Sequence, residues 1–504
     1  LSRLDEASRP THPSPRKPVV GLRTGHLVAL LVIAHAPLML LWSVMPAAWA
    51  YGKVVATPLV FLLAGLILLG YVVGYRGLGR RIRHSGGLYV QVTYGLGRVI
   101  GLGTAALVLV AYLGIAAGFY GLLARILEAL VAGVFDVDLS PTAALLIGLA
   151  VIAGATRLAL RTIVWIAIVV AVEQTIGVVW FDLVAISNPA DGHPVSFAGL
   201  DPAWLLSGSF GVALVFAVTA FIGSEVGTSY STELADPARS VPRATAFSYG
   251  LTTVVLVLSA WAVSIAVGPE TAASATADGQ LLVPGLVVKF AGIGSQSLVM
   301  DLVLTNLTLG LFVTGVVIGN AGARQLAGLA RDGVLPKAFA IPRPGDQPAG
   351  PARLALPVVG GLIALSASFS TTGVIPQWLI VGAGLSIIGS LTLASAATAL
   401  WFMRGEADEG GFFGWEGQVV AGVSAVFTTG GLFLYGVLRL DSVVPNAPGY
   451  ASWLVPGLIV VVLLAGAGYA LVLRETKPEV YAAIGQGREP RTSREPGPSR
   501  ERRG

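Results

Sequence analysis

Three titratable side chains stand inside long apolar runs, where a charge is costly and its presence points to chemistry. Glu225 lies between Gly223 and Gly227, and glycine at this density weakens a helix. A carboxylate at that depth costs several kcal/mol unless it is paired or protonated, so Glu225 is a candidate proton carrier. The alternative is that it caps amides of a neighbouring broken segment without titrating. Glu173 sits mid-run with no compensating charge close in sequence. It is either a second proton-coupling group or a partner for the backbone or for His35. His35, the third, belongs to a side-chain type that titrates near neutrality. It stands in Ala34-His35-Ala36-Pro37-Leu38, near the middle of the first apolar run. Pro37 has no N–H and disfavours helical geometry at Ala36, so a helix should stop before it and restart with Pro37 in its first turn. An ordinary proline kink is the competing expectation. Further along, Asp301, Thr305 and Thr308 fall at steps of four and three and share one helix face, with Asn306 beside it. Such a face turns inward, although hydroxyl and amide packing between helices accounts for it without a ligand.

The elements that position these groups follow from composition. Of 504 residues, 55% are hydrophobic and 12% charged, against about 25% charged in a soluble domain, and the mean hydropathy is +0.78. The apolar surplus requires lipid, which excludes a single soluble domain. Membrane helices are predicted at 28–49, 55–75, 99–131, 141–156, 162–186, 207–231, 246–267, 297–319, 356–370, 376–402, 417–438 and 451–473. With both termini cytoplasmic, every Lys and Arg among the 32 falls on the cytoplasmic side except Lys53, Arg125, Lys289 and Arg439. That asymmetry obeys the positive-inside rule and disappears for an odd number of spans, so it supports a multi-pass cell-membrane protein of about twelve helices.

The basic start and the apolar run ending at Ala48-Trp49-Ala50 also fit a signal peptide. The run is nevertheless long enough to span. Residues 1–25 and 476–504 lack an apolar pattern and read as disordered cytoplasmic tails. Trp49, Trp204, Trp401 and Trp453 lie near predicted helix ends and read as interfacial anchors. The net charge of +5 is spread over short loops and tails, so nucleic acid is not an expected partner; lipid and a small solute are. There is no cysteine, hence neither disulfides nor thiolate metal sites. Gly95-x-Gly97 lacks the strand-turn-helix context of a nucleotide site, and no Walker A sequence is present. No cofactor is expected, and energy would come from an ion gradient or from exchange. An enzyme would need a compact catalytic constellation, whereas the polar intramembrane residues are spread over five helices.

Phe221-Ile222-Gly223-Ser224-Glu225, followed by Glu233-Leu234-Ala235-Asp236-Pro237-Ala238-Arg239-Ser240-Val241-Pro242-Arg243-Ala244, resembles the sixth helix and following loop of amino acid-polyamine-organocation (APC) superfamily permeases. Asn320-Ala321-Gly322-Ala323-Arg324, leading to Ala330-Arg331-Asp332-Gly333-Val334-Leu335-Pro336-Lys337, is similar to the loop after their eighth helix. Gly86-Gly87-Leu88-Tyr89 is a weaker third match. The resemblance implies an all-α membrane fold over residues 26–475. Two inverted five-helix repeats, about 26–187 and 205–403, would carry broken helices one and six, with peripheral helices at 417–473. A break at membrane depth frees backbone groups and is tolerable only where they line a cavity or bind something.

On that fold a solute would sit between Ala34, His35, Ala36, Pro37 and Leu38 on one side and Phe221, Ile222, Gly223, Ser224 and Glu225 on the other. Tyr112 in the third span is a further lining candidate. The restarted half-helix would present free N–H groups suited to an anion such as a substrate carboxylate. Similar permeases usually carry Gly-x-Gly at this break, and this chain carries His35 instead.

The expected function is a secondary-active permease for amino acids, amines or related small organic solutes, working by alternating access. Protons are favoured over Na+ because Glu225, Glu173 and His35 titrate at membrane depth, and no dense carboxylate cage suggests a metal. A permease for a nucleobase or carboxylate on the same fold, or a non-transporting sensor, stays open as an alternative. Nothing in the sequence fixes an oligomeric state.

Overall fold

Leu-, Val-, Ala- and Ile-rich runs leave no side chain to compete with backbone hydrogen bonding, and in lipid the helix is the one local structure that satisfies every N–H and C=O within its own segment. The computed structural model describes residues 21–79, 86–190, 195–274, 282–291, 296–341, 347–368, 375–404, 414–443 and 449–486. Helices account for most of these residues, and the extended pairing among them is a single bridge between Leu22 and Leu234.

The first span is split into α1 (Thr24–Ala34), α2 (Pro37–Met39) and α3 (Met45–Gly52), the last two joined by a π turn at Leu40–Val44. Next come α4 (Thr57–Gly79), the short α5 (Leu88–Leu96), α6 (Arg98–Phe135), α7 (Pro141–Ala155) and α8 (Leu160–Ser187). The sixth span pairs α9 (Phe210–Thr219) with a 3-10 segment, Ser224–Glu233. It is followed by α10 (Pro237–Val267), α11 (Pro269–Ser274), α12 (Leu282–Ala291), α13 (Gln296–Arg331), α14 (Gly350–Ser368) and α15 (Ile375–Met403). The remainder is α16 (Gly414–Leu438), α17 (Leu440–Val443), α18 (Ala451–Thr476) and α19 (Pro478–Ala483). Eleven helices among the described residues are long and apolar enough to cross a membrane. The expected fourth span, α7, has only 15 residues, roughly 22 Å at 1.5 Å per residue.

The long α6 packs against α5, α7, α13, α14, α15 and α18, while α10 joins α1, α4 and α8. Between these groups lies a core in which Leu27, Leu30, Ile33, Ala111 and Val212 are fully or almost fully buried. The first run is thus part of the packed interior, not a segment lying outside it. Apolar residues also face outward along the bundle. Leu66, Val169, Leu183, Phe427 and Leu464 are all more than half exposed, as expected where lipid rather than water is the neighbour.

Several sequence expectations are corrected. The seventh helix starts at Pro237 rather than 246, because Asp236 accepts the Arg239 amide at 3.2 Å and Pro237 occupies the first helical position. The eighth continues to Arg331, so Asn320–Arg324 forms helix and not loop. In both cases charge and proline mark where the chain leaves the apolar layer, not where the helix ends. Trp49 and Trp401 are buried rather than interfacial, because α3 is covered by α9 and α15 by α5 and α6; Trp204 and Trp453 are exposed. The expected tails lie mostly outside the described residues. Yet α19 falls in the second of them, and Ile484 beyond it is fully buried, with the Gly485 amide donating to Asp332 Oδ2 at 2.7 Å.

Gly95 has a packing role. A Cβ there would lie 2.0 Å from the Ala397 carbonyl oxygen of α15, and the Gly95 carbonyl accepts from Arg404 Nη1 at 3.0 Å. Gly95→Ala should force α5 and α15 apart and destabilise the protein by about 1–3 kcal/mol, as overpacking does. A lowered midpoint of thermal unfolding in detergent checks this, and an unchanged midpoint would show that the helices separate without cost.

Candidate functional site

The first break is a true interruption and not a kink. The α1 helix closes with the His35 amide on Leu31 and Val32 carbonyls and the Ala36 amide on Ile33. Ala36 then adopts φ 50° and ψ 69°, the left-handed region that a side chain disfavours, before Pro37 restarts the helix. Thr314 of α13 donates to the Ile33 carbonyl at 2.6 Å, which satisfies an acceptor at the broken end. On the restarted side the Leu38 amide donates to Gln174 Oε1 of α8 at 3.4 Å.

The second break lies against the first. After α9, Gly223 takes φ 113°, and a Cβ there would stand 2.8 Å from the Ala34 carbonyl oxygen. Glycine is thus required twice over, by its own backbone angle and by the approach of the α1 end. Beyond it the chain runs as ten residues of 3-10 helix, a form that seldom lasts more than one turn and often marks a hinge. Local hydroxyls assist it: Thr228 donates to the Glu225 carbonyl at 2.8 Å and Ser231 to the Thr228 carbonyl at 2.5 Å.

His35 joins the two breaks through its ring. Nε2 is hydrogen-bonded to Ser224 Oγ at 2.5 Å and Nδ1 to Thr252 Oγ1 of α10 at 2.9 Å. A hydroxyl can donate or accept, so Ser224 and Thr252 accommodate either neutral tautomer. Tyr249 stacks on the imidazole at 6.3 Å between centroids, and Phe221 meets it edge-on at 6.2 Å. Glu225 folds back so that Oε2 accepts the Gly223 amide at 2.7 Å, while Oε1 is buried without a partner. Tyr112 and Tyr249 lie within electrostatic reach of this carboxyl.

The expected site residues therefore separate into two groups. Ala34, His35, Ala36, Pro37, Leu38, Phe221, Gly223, Ser224, Glu225 and Tyr112 come together, buried, and Ile222 is half-buried beside them. Glu173 does not join them. One residue along a helix turns about 100°, so Gln174 faces the break while Glu173 is exposed and accepts from the Asn306 side-chain amide. It makes no contact with His35 among the recorded hydrogen bonds. The polar face of α13 is likewise divided. Thr305 and Thr308 bond to carbonyls of their own helix, and Asn306 receives Gln174 Nε2 at its carbonyl, 3.0 Å, and its side-chain oxygen, 3.2 Å. An apolar cavity of about 270 Å3 opens beside the restarted helix, lined by Leu38, Trp42, Gly177, Phe181, Val303 and Asn306.

Sequence reasoning missed three features. Gln174 and Thr252 are uncharged and carry no intramembrane alarm. Asp182 of α8 is buried and accepts from Ser259 of α10 at 2.8 Å; its charge inside a span was the available signal. The two matched motifs also meet, because Arg324, 1% exposed, forms an ion pair with Glu233 at 2.9 Å. Its guanidinium also donates to Asn320 at 2.5 Å and lies 4.8 Å over the Tyr230 ring. This cluster ties the far end of the 3-10 segment to α13, and the Leu22 amide donates to the Glu233 carbonyl at 2.9 Å beside it.

A family model described as "Amino acid permease" matches residues 26–482, which covers both breaks and the ion-paired motifs. No curated protein matches the chain.

The contact between the breaks can be tested at Gly223. Gly223→Ala places a side chain at φ 113° against the Ala34 carbonyl, at a cost of order 1–3 kcal/mol. The variant should still insert, but with a lower unfolding midpoint and weakened solute binding. Wild-type values for both in detergent-solubilised protein would mean that the breaks do not need each other.

Proposed function

The chain belongs to the amino acid permease family, and we propose that it works as a secondary-active permease moving its solute by alternating access between the two broken helices. Family and fold make this a multi-pass membrane transporter for amino acids or related solutes rather than an enzyme. Alternating access is carried by the crossing itself. Two interrupted spans, the first and the sixth, meet at a buried cluster of polar groups, which lipid tolerates only with a compensating use. Their places in the span order support two inverted repeats, about 26–187 and 205–403, with α16 and α18 peripheral. The distribution of Lys and Arg supports cytoplasmic termini in the cell membrane.

In this reading the Arg324–Glu233 ion pair and the Leu22–Leu234 bridge hold the end of the bundle nearest the N-terminus closed. The solute would bind where His35, Ser224 and Glu225 converge, and release would require the 3-10 segment and α1 to part from α13. His35 and Glu225 are the coupling groups best placed for H+, since both sit at the crossing while Glu173 lies outside it. A proton delivered there alters the charge that the crossing must hold and so biases one access state over the other.

In proteoliposomes, an inwardly directed proton gradient should drive saturable accumulation of a labelled solute from an amino acid and amine panel, and a protonophore should collapse it. His35→Gly should change which solutes compete far more than it changes protein yield, because it opens the space that the imidazole fills. Accumulation indifferent to the gradient would refute proton coupling. An identical competition profile would reduce His35 to packing.

A further inference from the structure

We propose that the segment after α18 is a strap that holds the end of the bundle nearest the N-terminus closed, so that its release speeds opening at that end. This rests on the permease reading above, in which the end carrying the Arg324–Glu233 pair is shut and the 3-10 segment must part from α13 to open it.

The segment is docked on the bundle. Beyond α18 the helix breaks at Lys477 and resumes as α19. Ala483 is then buried and Ile484 completely so. Ile484 joins Leu78, Tyr89, Val90, Leu329 and Val334 in a second apolar core, separate from the one around the crossing. Burying such a side chain opposes the entropy of ordering a short segment. Polar contacts then fix its position. Gly485 adopts φ 77°, and its amide donates to Asp332 Oδ2 at 2.7 Å, where the Tyr89 hydroxyl also donates at 3.0 Å. The Arg98 guanidinium of α6 lies 5.6 Å from the centre of the Tyr481 ring. A Cβ at Gly485 would stand 2.9 Å from the Thr93 side chain, so this turn is seated directly on α5.

The first turn of α5 in its turn backs the 3-10 segment. Its N-cap, Gly87, adopts φ 78°, and a Cβ there would lie 3.5 Å from Ser229 Oγ and 3.6 Å from Thr228 Oγ1. Ser229 is fully buried. Tyr89 is two residues from Gly87, so tying its hydroxyl to Asp332, just past the end of α13, fixes the turn against which the 3-10 segment rests. Contacts thus run from Gly485 through Asp332 and Tyr89 to Gly87 and the Thr228 and Ser229 hydroxyls. The path gives a use to the Gly86-Gly87-Leu88-Tyr89 and Ala330–Lys337 stretches, which the crossing does not employ. Without the strap, Asp332 loses a charge-assisted donor and the core around Tyr89 loses Ile484, and this turn is free to yield.

The chain has no cysteine, so a single introduced thiol reports opening without background. Ser229→Cys places one in the 3-10 segment, and Ser264→Cys places a control near the far end of α10, where Ser264 is also buried. Each is followed in the full-length protein in detergent by its rate of reaction with a small maleimide. Ile484→Ser removes the apolar anchor and should raise the Ser229→Cys rate about fivefold or more, the lower end of usual coupling between sites, with the Ser264→Cys rate unchanged. Ending the chain after Thr476 should have the same effect, so the test survives if one of the two variants misfolds. An unchanged Ser229→Cys rate would overturn the inference. So would a parallel rise at Ser264→Cys, because general loss of stability exposes both thiols. No solute enters this readout, so absence of uptake in proteoliposomes would remove the permease reading without touching the thiol rates. Normal uptake with unchanged rates would remove the strap alone.

Discussion

Two interrupted helices cross inside this bundle, and a bilayer has no water with which to satisfy the backbone groups that an interruption frees. The freed groups therefore have to be satisfied by the protein itself. Gly223 lies against the Ala34 carbonyl, the His35 ring reaches Ser224 across the gap, and Glu225 turns back onto the Gly223 amide. The first two contacts set one break against the other, and the third satisfies an amide within the second.

Neighbouring helices hold the crossing from three sides. Thr314 reaches Ile33 from α13, Gln174 reaches Leu38 from α8, and Thr252 reaches His35 from α10. None of these partners is charged. The charged contact, Arg324 with Glu233, stands at the far end of the 3-10 segment. A buried ion pair is a poor general stabiliser but a discrete one, either made or broken.

How a side chain is used here depends on the face it occupies more than on its type. Glu173 and Gln174 are adjacent, yet the amide holds the restarted helix while the carboxylate faces outward with Asn306. Trp49 and Trp401 sit near helix ends as interfacial tryptophans do, but the helices that carry them are covered by others. The charged motifs after the sixth and eighth spans look like loops by composition and are helical for much of their length. Their charges are paired or solvated beyond the apolar layer, and a helix there needs only a cap and a compatible backbone.

Hydropathy, the lopsided distribution of Lys and Arg, and Pro37 were sufficient to determine the helical membrane class, the succession of spans to within a few residues at most ends, and the location of the first break. These depend on length, charge and the missing N–H of proline, which are local properties of the chain. The second break came from the resemblance of the motif around Glu225 to the sixth helix of the permeases, with the density of glycine there in keeping with it. Tertiary structure decided the rest: that Gly223 must be glycine because α1 ends against it, that His35 is held at both nitrogens, and that Glu225 folds back onto the Gly223 amide. Those outcomes depend on which groups from α8, α10 and α13 arrive at the crossing. A hydrogen bond between residues more than a hundred positions apart leaves no mark on the spacing of either one.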